Sequence, residues 1–151
     1  MPRLSATNGV SPVRTSPSGR AGAYHVPVLL REVETLLANA TTVLDCTLGG
    51  GGHSSMFLER GTRVTGIDRD PRALTAARER LAEFERIGRF RALLGNYAEL
   101  DRAGLADVEK FDGILLDLGV SSHQFDDLTR GFTFREGAPL DMRMGEDAGV
   151  D

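Results

Sequence analysis

Four consecutive glycines, Gly49–Gly52, constrain the fold of this chain more than any other feature of its sequence. An apolar segment ending in Asp45 precedes them, and a helix-compatible segment begins at His53. Because glycine has no Cβ, its backbone can adopt positive φ and lie directly against a ligand. A strand, a glycine-rich turn and a helix N-terminus together form a binding corner for a nucleotide-like cofactor. The sequence predicts such a corner, which dehydrogenases and methyltransferases both build.

Alternating strand and helix patterns predict that the chain folds as a parallel α/β sheet. Apolar segments predict strands at 42–47, 63–68, 90–94 and 112–117. Helical patterns occur at about 27–38, 53–60, 71–87 and 98–106. Asp70 is expected to cap the third of these helices, because Pro71 follows at the first helical position. The fourth strand should be buried, since its apolar residues are consecutive.

Composition excludes several classes of protein. No apolar run approaches the roughly 20 residues that a membrane span needs, and residues 1–23 lack the apolar core of a secretory signal. The single cysteine, Cys46, cannot form an internal disulfide, which favours a cytoplasmic location. Cys and His residues do not cluster at ligand spacing, so no metal site is predicted.

The chain divides into a predicted tail and one predicted domain. Residues 1–23 are rich in Ser, Pro, Gly and Thr and are expected to be disordered, because they bury too little apolar surface to offset the entropy of ordering. Residues 24–151 are expected to form the domain. The tail carries three of the 18 basic residues and none of the 22 acidic ones, so the net charge of −4 becomes −7 in the domain. This charge does not indicate RNA binding.

Acidic residues end three of the four predicted strands, and they distinguish between two classes of cofactor. Dinucleotide-binding loops follow the pattern G-x-G-x-x-G, but Ser54 occupies the third glycine position here. Asp68 is placed to accept both hydroxyls of a ribose, and Tyr97 to cover an adenine. Asp45 either meets a cationic amino group or stabilises the glycine turn, while Asp117 faces the reacting end. These residues suit S-adenosylmethionine, which has an amino group, a ribose and an adenine but no phosphate.

Six segments of the chain together resemble one protein family. They are HVPVLL at 25–30, the glycine loop through His53, GIDRDP at 66–71, GILLDLGVSS at 113–122, RGF at 130–132 and PLDMRM at 139–144. In this order they resemble the bacterial small-subunit ribosomal RNA N(4)-cytosine methyltransferases, the RsmH or MraW family, over about residues 24–144. The resemblance implies a Rossmann-like class I methyltransferase fold that binds S-adenosylmethionine. It also implies the cofactor-binding residues Gly50, Gly51, Gly52, His53, Asp68, Tyr97, Asp117 and Gln124. His123 departs from the family, which usually has proline there.

The resemblance further implies an enzyme that methylates the exocyclic amine of a cytidine in 16S rRNA, on the small ribosomal subunit. Asp117 is the candidate catalytic residue, because an acceptor that holds an amine hydrogen activates the nitrogen and then removes the proton. Ser121 and Ser122 are expected to assist. The candidate contacts for RNA phosphates are Arg130, Arg135 and Arg143.

Two alternatives remain open at this stage. One is a nucleotide-binding Rossmann oxidoreductase domain, and the other is a non-catalytic cofactor-binding fragment. The second arises because methyltransferase sheets of this class have more strands than the four predicted here. We therefore expect a chain truncated after the fourth strand, without the helical substrate domain and the last strands. Its fourth strand would be an exposed edge that favours self-association, and the chain alone is expected to be marginally stable and nearly inactive.

Overall fold

The structure, a computed structural model, describes residues 27–100, 105, 110–120, 125, 127–139 and 141–142. Its strands are β1 (Thr42–Asp45), β2 (Arg63–Asp68), β3 (Phe90–Leu94) and β4 (Gly113–Leu115). Its α-helices are α1 (Leu30–Leu36), α2 (Gly52–Glu59) and α3 (Pro71–Arg86), and short 3₁₀ turns occupy Tyr97–Glu99 and Leu128–Arg130. All strand pairs are parallel, in the order β3-β2-β1-β4. The predicted parallel α/β fold is confirmed, whereas the predicted tail at 1–23 lies outside the described residues.

The strand order reverses beside β1. From β1 the chain passes through α2 to β2 and through α3 to β3, whereas β4 pairs with β1 on the opposite side. Val43 thus has Val64 of β2 on one side and Gly113 of β4 on the other. In open α/β sheets, ligands bind at the carboxyl ends of the strands where the order reverses. The glycine run follows β1 directly and therefore lies at this point.

Helices cover one face of the sheet and form the larger part of the core. Strand residues Val43, Val64 and Phe90 share this face and pack with apolar side chains of α2 and α3, namely Phe57, Leu58, Leu74, Ala77 and Leu81. Each fully buried Val, Leu or Phe side chain contributes about 1.5–3 kcal/mol. A smaller cluster on the other face contains Leu44, Cys46, Ile67 and Leu105. The core therefore holds β1 between two layers, with its carboxyl end facing the glycine loop.

The structure corrects the predicted fourth strand. The sequence predicted a buried strand over 112–117, but β4 ends at Leu115, and the residues Ile114 and Leu116 are 57% and 47% exposed. Among the described residues β4 pairs only with β1, so it lies at an edge of the sheet, as the sequence had also predicted. Consecutive apolar residues predicted burial on both faces, but in the described part of β4 Gly113 and Leu115 are buried whereas Ile114 between them is exposed.

The start of α3 follows its predicted capping residue. Asp70 caps α3 as predicted, since its carboxylate accepts a hydrogen bond of 3.0 Å from the backbone N–H of Arg72, and Pro71 occupies the first helical position. In place of the start of the helix predicted at 98–106 there is a single 3₁₀ turn, and residues 101–104 and 106 lie outside the described part. Within the described ranges, no helix is both long enough and apolar enough to cross a membrane.

Candidate functional site

A cavity of about 390 Å³ opens at the carboxyl ends of the strands. Its walls come from four loops, one after each strand: 46–50, 68–70, 95–97 and 117–120, together with Gly52 and His53 at the start of α2. Pro27 and Val28, which precede α1, close one side. The cavity therefore occupies the position where the strand order reverses, as expected for a ligand site in a parallel α/β sheet.

The glycine loop leaves β1 in a tight turn that is tied to β2. Leu48 donates a backbone hydrogen bond of 3.0 Å to the carbonyl of Ile67 and accepts one of 2.8 Å from Gly51. Gly49 and Gly51 have φ of +52° and +76°, in the left-handed region that favours glycine. The loop therefore requires glycine at these two positions to bring its backbone round to the cavity.

Gly51 plays a different part from its neighbours in the loop. Gly50 and Gly52 line the cavity, whereas Gly51 does not. A Cβ at Gly51 would lie 2.9 Å from the side chain of Leu81 on α3, and its N–H already bonds to the Leu48 carbonyl. The expected contact between Gly51 and the cofactor stays a prediction, and the structure adds a packing constraint at this position, because a side chain here would press on α3.

Asp68 lies at the end of β2, in the wall of the cavity. Two backbone N–H groups hold its carboxylate, that of Gly49 at 2.7 Å from Oδ2 and that of Asp70 at 2.9 Å from Oδ1. Burial raises the pKa of Asp68 above its ordinary value, while these two hydrogen bonds act in the opposite direction by favouring the ionised form. The result is an oriented acceptor with unused lone pairs for hydroxyl donors.

Asp45 is buried behind the cavity instead of lining it. Only 1% of the residue is exposed, and its carboxylate accepts hydrogen bonds from the Ser54 hydroxyl at 2.7 Å and the Thr47 N–H at 3.2 Å. Burial raises the pKa of Asp45. Of the two interpretations of Asp45, the structure supports the stabiliser of the glycine turn and not the partner of a cationic group. The role of Ser54 was not predicted; its signal in the sequence was a hydroxyl residue at the third position of the glycine pattern, two residues after the glycine run.

His53 and Asp117 approach each other across the cavity. The Nδ1 atom of His53 lies 3.8 Å from Oδ2 of Asp117, and its Nε2 lies 3.0 Å from the carbonyl oxygen of Val28. A carbonyl only accepts, so Nε2 carries the hydrogen and donates it. The Asp117 side chain is 41% exposed, and its backbone N–H donates to the Thr47 hydroxyl at 2.8 Å. His53 therefore links the segment before α1 to the site, while the Asp117 carboxylate stays accessible to a ligand.

Tyr97 contributes its phenol ring to the cavity wall. It begins the 3₁₀ turn after β3, which Asn96 caps by accepting a hydrogen bond of 3.0 Å from Ala98. Ser121, Ser122 and Gln124, which the sequence analysis added to the site, lie outside the described residues, so their roles stay predictions. No group of three or more His, Cys, Asp or Glu side chains in the described ranges is arranged to hold a metal ion.

Arg130 does not lie where a phosphate contact would be expected. Its side chain is only 10% exposed, and its guanidinium pairs with Asp70 at 2.7 Å and with Asp127 at 3.4 Å. The Arg130 guanidinium, which was predicted to contact an RNA phosphate, is thus already paired with two carboxylates of the protein. Arg135 is exposed and remains a candidate for that role, and Arg143 lies outside the described residues.

Residues 22–151 of the chain match the model of the MraW methylase family. The chain belongs to the MraW methylase family. Members similar to it include the ribosomal RNA small subunit methyltransferase H of Gemmatimonas aurantiaca, which is 75% identical over 94% of this chain and 45% of the relative. The protein of the same name from Myxococcus xanthus is 52% identical over 82% of this chain and 40% of the relative. The chain spans less than half the length of these two MraW relatives.

A solved structure with a related fold supports the same architecture. The C-terminal domain of precorrin-6Y C5,15-methyltransferase from Rhodobacter capsulatus aligns with a TM-score of 0.51 and 20% identity, covering 62% of this chain and 50% of that one. At this identity the likeness concerns the fold alone. The Rossmann-like class I methyltransferase fold expected from the sequence is thereby confirmed for this MraW family member.

Proposed function

We propose that this chain forms the cofactor-binding part of an S-adenosylmethionine-dependent methyltransferase that acts on a cytidine amine in 16S rRNA. The observation that carries the proposal is the Asp68 carboxylate, which two backbone N–H groups orient into the cavity beside the glycine loop. Membership of the MraW family supports it, and the names of the relatives favour a methyltransferase over an oxidoreductase. With the small ribosomal subunit as substrate, the proposed location is the cytoplasm.

The cavity suits the parts of S-adenosylmethionine. Asp68 would accept the ribose hydroxyls, Tyr97 would cover the adenine, and the backbone at Gly50 and Gly52 allows close approach. Asp68 and Asp117 both line the cavity, and two carboxylates attract a cation while repelling a pyrophosphate. The cofactor supplies an electrophilic methyl group. We propose that Gln124 adds a further contact to it.

Asp117 is proposed to activate the target amine. The exocyclic nitrogen of cytosine is conjugated with the ring and is a weak nucleophile, so the base must be turned out of its stack and held in place. The exposed Asp117 carboxylate would accept a hydrogen bond from the amine and then its proton. Ser121 and Ser122, which follow a few positions later in the sequence, are proposed to orient the base. We propose that His53, which lines the cavity and whose Nδ1 atom lies 3.8 Å from the Asp117 carboxylate, adds a contact to the cofactor.

Titration calorimetry with S-adenosylhomocysteine and with NAD tests the cofactor. We expect the chain to bind S-adenosylhomocysteine, and Asp68→Asn to weaken binding about tenfold to a hundredfold, because hydrogen bonds to a charged acceptor contribute about 1.5–3 kcal/mol. Asp112→Asn is the matched control, since Asp112 precedes β4 at the opposite end of the sheet. Preferential binding of NAD, or an unchanged affinity in Asp68→Asn, would contradict the proposal.

A methylation assay tests Asp117. This chain would replace the matching residues of the Gemmatimonas relative, to which it is 75% identical, and the chimera would be assayed on small ribosomal subunits. We expect Asp117→Asn to lower the methylation rate by about a hundredfold or more, with a much smaller loss of S-adenosylhomocysteine affinity. Equal losses in rate and affinity would reduce Asp117 to a binding residue.

A further inference from the structure

A buried ion pair joins the loop 127–139 to the turn that carries Asp68. The guanidinium of Arg130 lies 2.7 Å from Oδ2 of Asp70, and their side chains are only 10% and 4% exposed. Arg130 does not line the cavity, so it does not reach a ligand there directly. Because charges are costly to bury unless they are paired, this contact ties the loop firmly to the start of α3.

Asp70 connects this ion pair to the cavity through its other contacts. Its backbone N–H donates to Oδ1 of Asp68 at 2.9 Å, and its Oδ1 accepts the N–H of Arg72 at 3.0 Å as the cap of α3. One residue thus orients the Asp68 carboxylate, caps the helix and binds Arg130. A change at Arg130 therefore reaches Asp68 through two consecutive contacts.

The loop that presents Arg130 is itself well organised. Asp127 accepts hydrogen bonds from the N–H and hydroxyl of Thr129 at 3.0 and 2.6 Å, and it lies 3.4 Å from Nε of Arg130. The hydrogen bonds from Thr129 lower the pKa of Asp127, which keeps the carboxylate ionised beside the guanidinium. Thr133 is buried, and the backbone at Gly131 packs closely against that of Pro139. Two carboxylates therefore hold the Arg130 guanidinium, that of Asp70 at the start of α3 and that of Asp127 in its own loop.

We infer that Arg130 is a positioning residue for cofactor binding, which acts through Asp70 to hold the Asp68 carboxylate in place. The inference rests on the proposed function, since Asp68 is the proposed ribose ligand. If Arg130 is lost, Asp70 keeps a buried charge without its strongest partner. Asp70 must then draw in water or turn outward, and its backbone N–H no longer holds Asp68 in the orientation that the ligand needs.

Calorimetry with S-adenosylhomocysteine on the 151-residue chain tests this role. We expect Arg130→Met to weaken binding about tenfold, a change of about 1.4 kcal/mol, and Arg130→Lys to restore part of the affinity because it keeps the charge. Arg72→Met is the matched control, since Arg72 also pairs with Asp127, at 3.3 Å, but its side chain is 59% exposed. We expect it to change the affinity less than about twofold.

A double variant separates positioning from general destabilisation. Asp70→Asn keeps a good helix cap but removes the charge that Arg130 meets. If Arg130 acts through Asp70, the variant Arg130→Met with Asp70→Asn should bind no more weakly than Asp70→Asn alone. Additive losses in affinity would contradict the inference.

Amide hydrogen exchange measured without ligand tests the role of Arg130 independently of the proposed function. We expect Arg130→Met to speed exchange at the Asp70 and Gly49 amides, which hold Asp68, while Arg72→Met leaves both rates unchanged. The inference is overturned if Arg130→Met alters neither these rates nor the affinity. If the unaltered chain fails to bind S-adenosylhomocysteine while the amides still respond, the proposed function fails and the link from Arg130 to Asp68 stands.

Discussion

The hydroxyl of Ser54 donates a hydrogen bond of 2.7 Å to Asp45, and both side chains are buried beneath the glycine loop. Asp45 ends β1 and Ser54 lies in the first turn of α2, so this bond closes the loop from below. In dinucleotide-binding loops a third glycine allows the helix to pack close to the strand. Here a serine occupies that position with no exposed surface and adds a polar contact to an ionisable group.

Ser54→Ala should therefore destabilise the fold. It leaves one oxygen of a buried carboxylate without its hydroxyl donor, and we expect a loss of about 1–3 kcal/mol in the free energy of unfolding, measured with urea. The matched control is Ser55→Ala, because Ser55 bonds to Glu59 on the exposed side of the same helix. That control should stay within about 0.5 kcal/mol of the unaltered chain. Equal effects at the two serines would rule out the buried bond as the cause.

Asp45 should make stability depend on pH in a defined direction. Burial raises the pKa of Asp45 above 3.8, so its contribution is fully present below that value and is lost as pH rises through the folded pKa. Asp45→Asn cannot titrate and can still pair with Ser54 and Thr47. Urea unfolding at several pH values should show the unaltered chain losing stability relative to Asp45→Asn as pH rises. A difference that does not vary with pH would refute this.

Asp112 should show the opposite dependence. It lies in an exposed position where Thr41 and Thr42 donate hydrogen bonds to its carboxylate, and the bond from the Thr41 hydroxyl is the main cause that lowers its pKa. Its contribution is therefore present above pH 3.8 and is lost as pH falls through the lowered pKa. The stability difference between the unaltered chain and Asp112→Asn, measured by urea unfolding, should shrink on acidification. A difference that grows at low pH would contradict the assignment.

Gly51→Ala tests the close approach between the glycine loop and α3. A residue other than glycine at positive φ costs about 1–2 kcal/mol, and the new Cβ would also lie 2.9 Å from the side chain of the buried Leu81, which would have to shift. Gly88→Ala is the control, because Gly88 has a similar φ of +71° but nothing within 4 Å of its Cβ position. We expect Gly51→Ala to lose about 1 kcal/mol or more beyond Gly88→Ala in urea unfolding. Equal losses would show that the contact with Leu81 does not affect the free energy of unfolding.

The strands and caps that the sequence predicted correctly depend on neighbouring residues. β2 and β3 have the predicted bounds, and Asp70 with Pro71 starts α3 as expected. These features follow from apolar runs, turn residues and capping chemistry within a few positions of one another. β4 differs because the exposure of Ile114 depends on what covers the sheet, which its own residues do not specify.

The sequence by itself determined that Asp68, Tyr97 and Asp117 meet at one cavity, because parallel strands place the residues that follow them at the same edge of the sheet. Only the tertiary structure decided that Asp45 and Arg130 lie inside the protein, each with its own partner. From residue type alone, an aspartate or an arginine could equally well contact a ligand or pair inside the protein. Burial and pairing arise from contacts between segments far apart in the chain, and those contacts exist only once the loop 127–139 packs against α3 and α2 packs beneath the glycine loop.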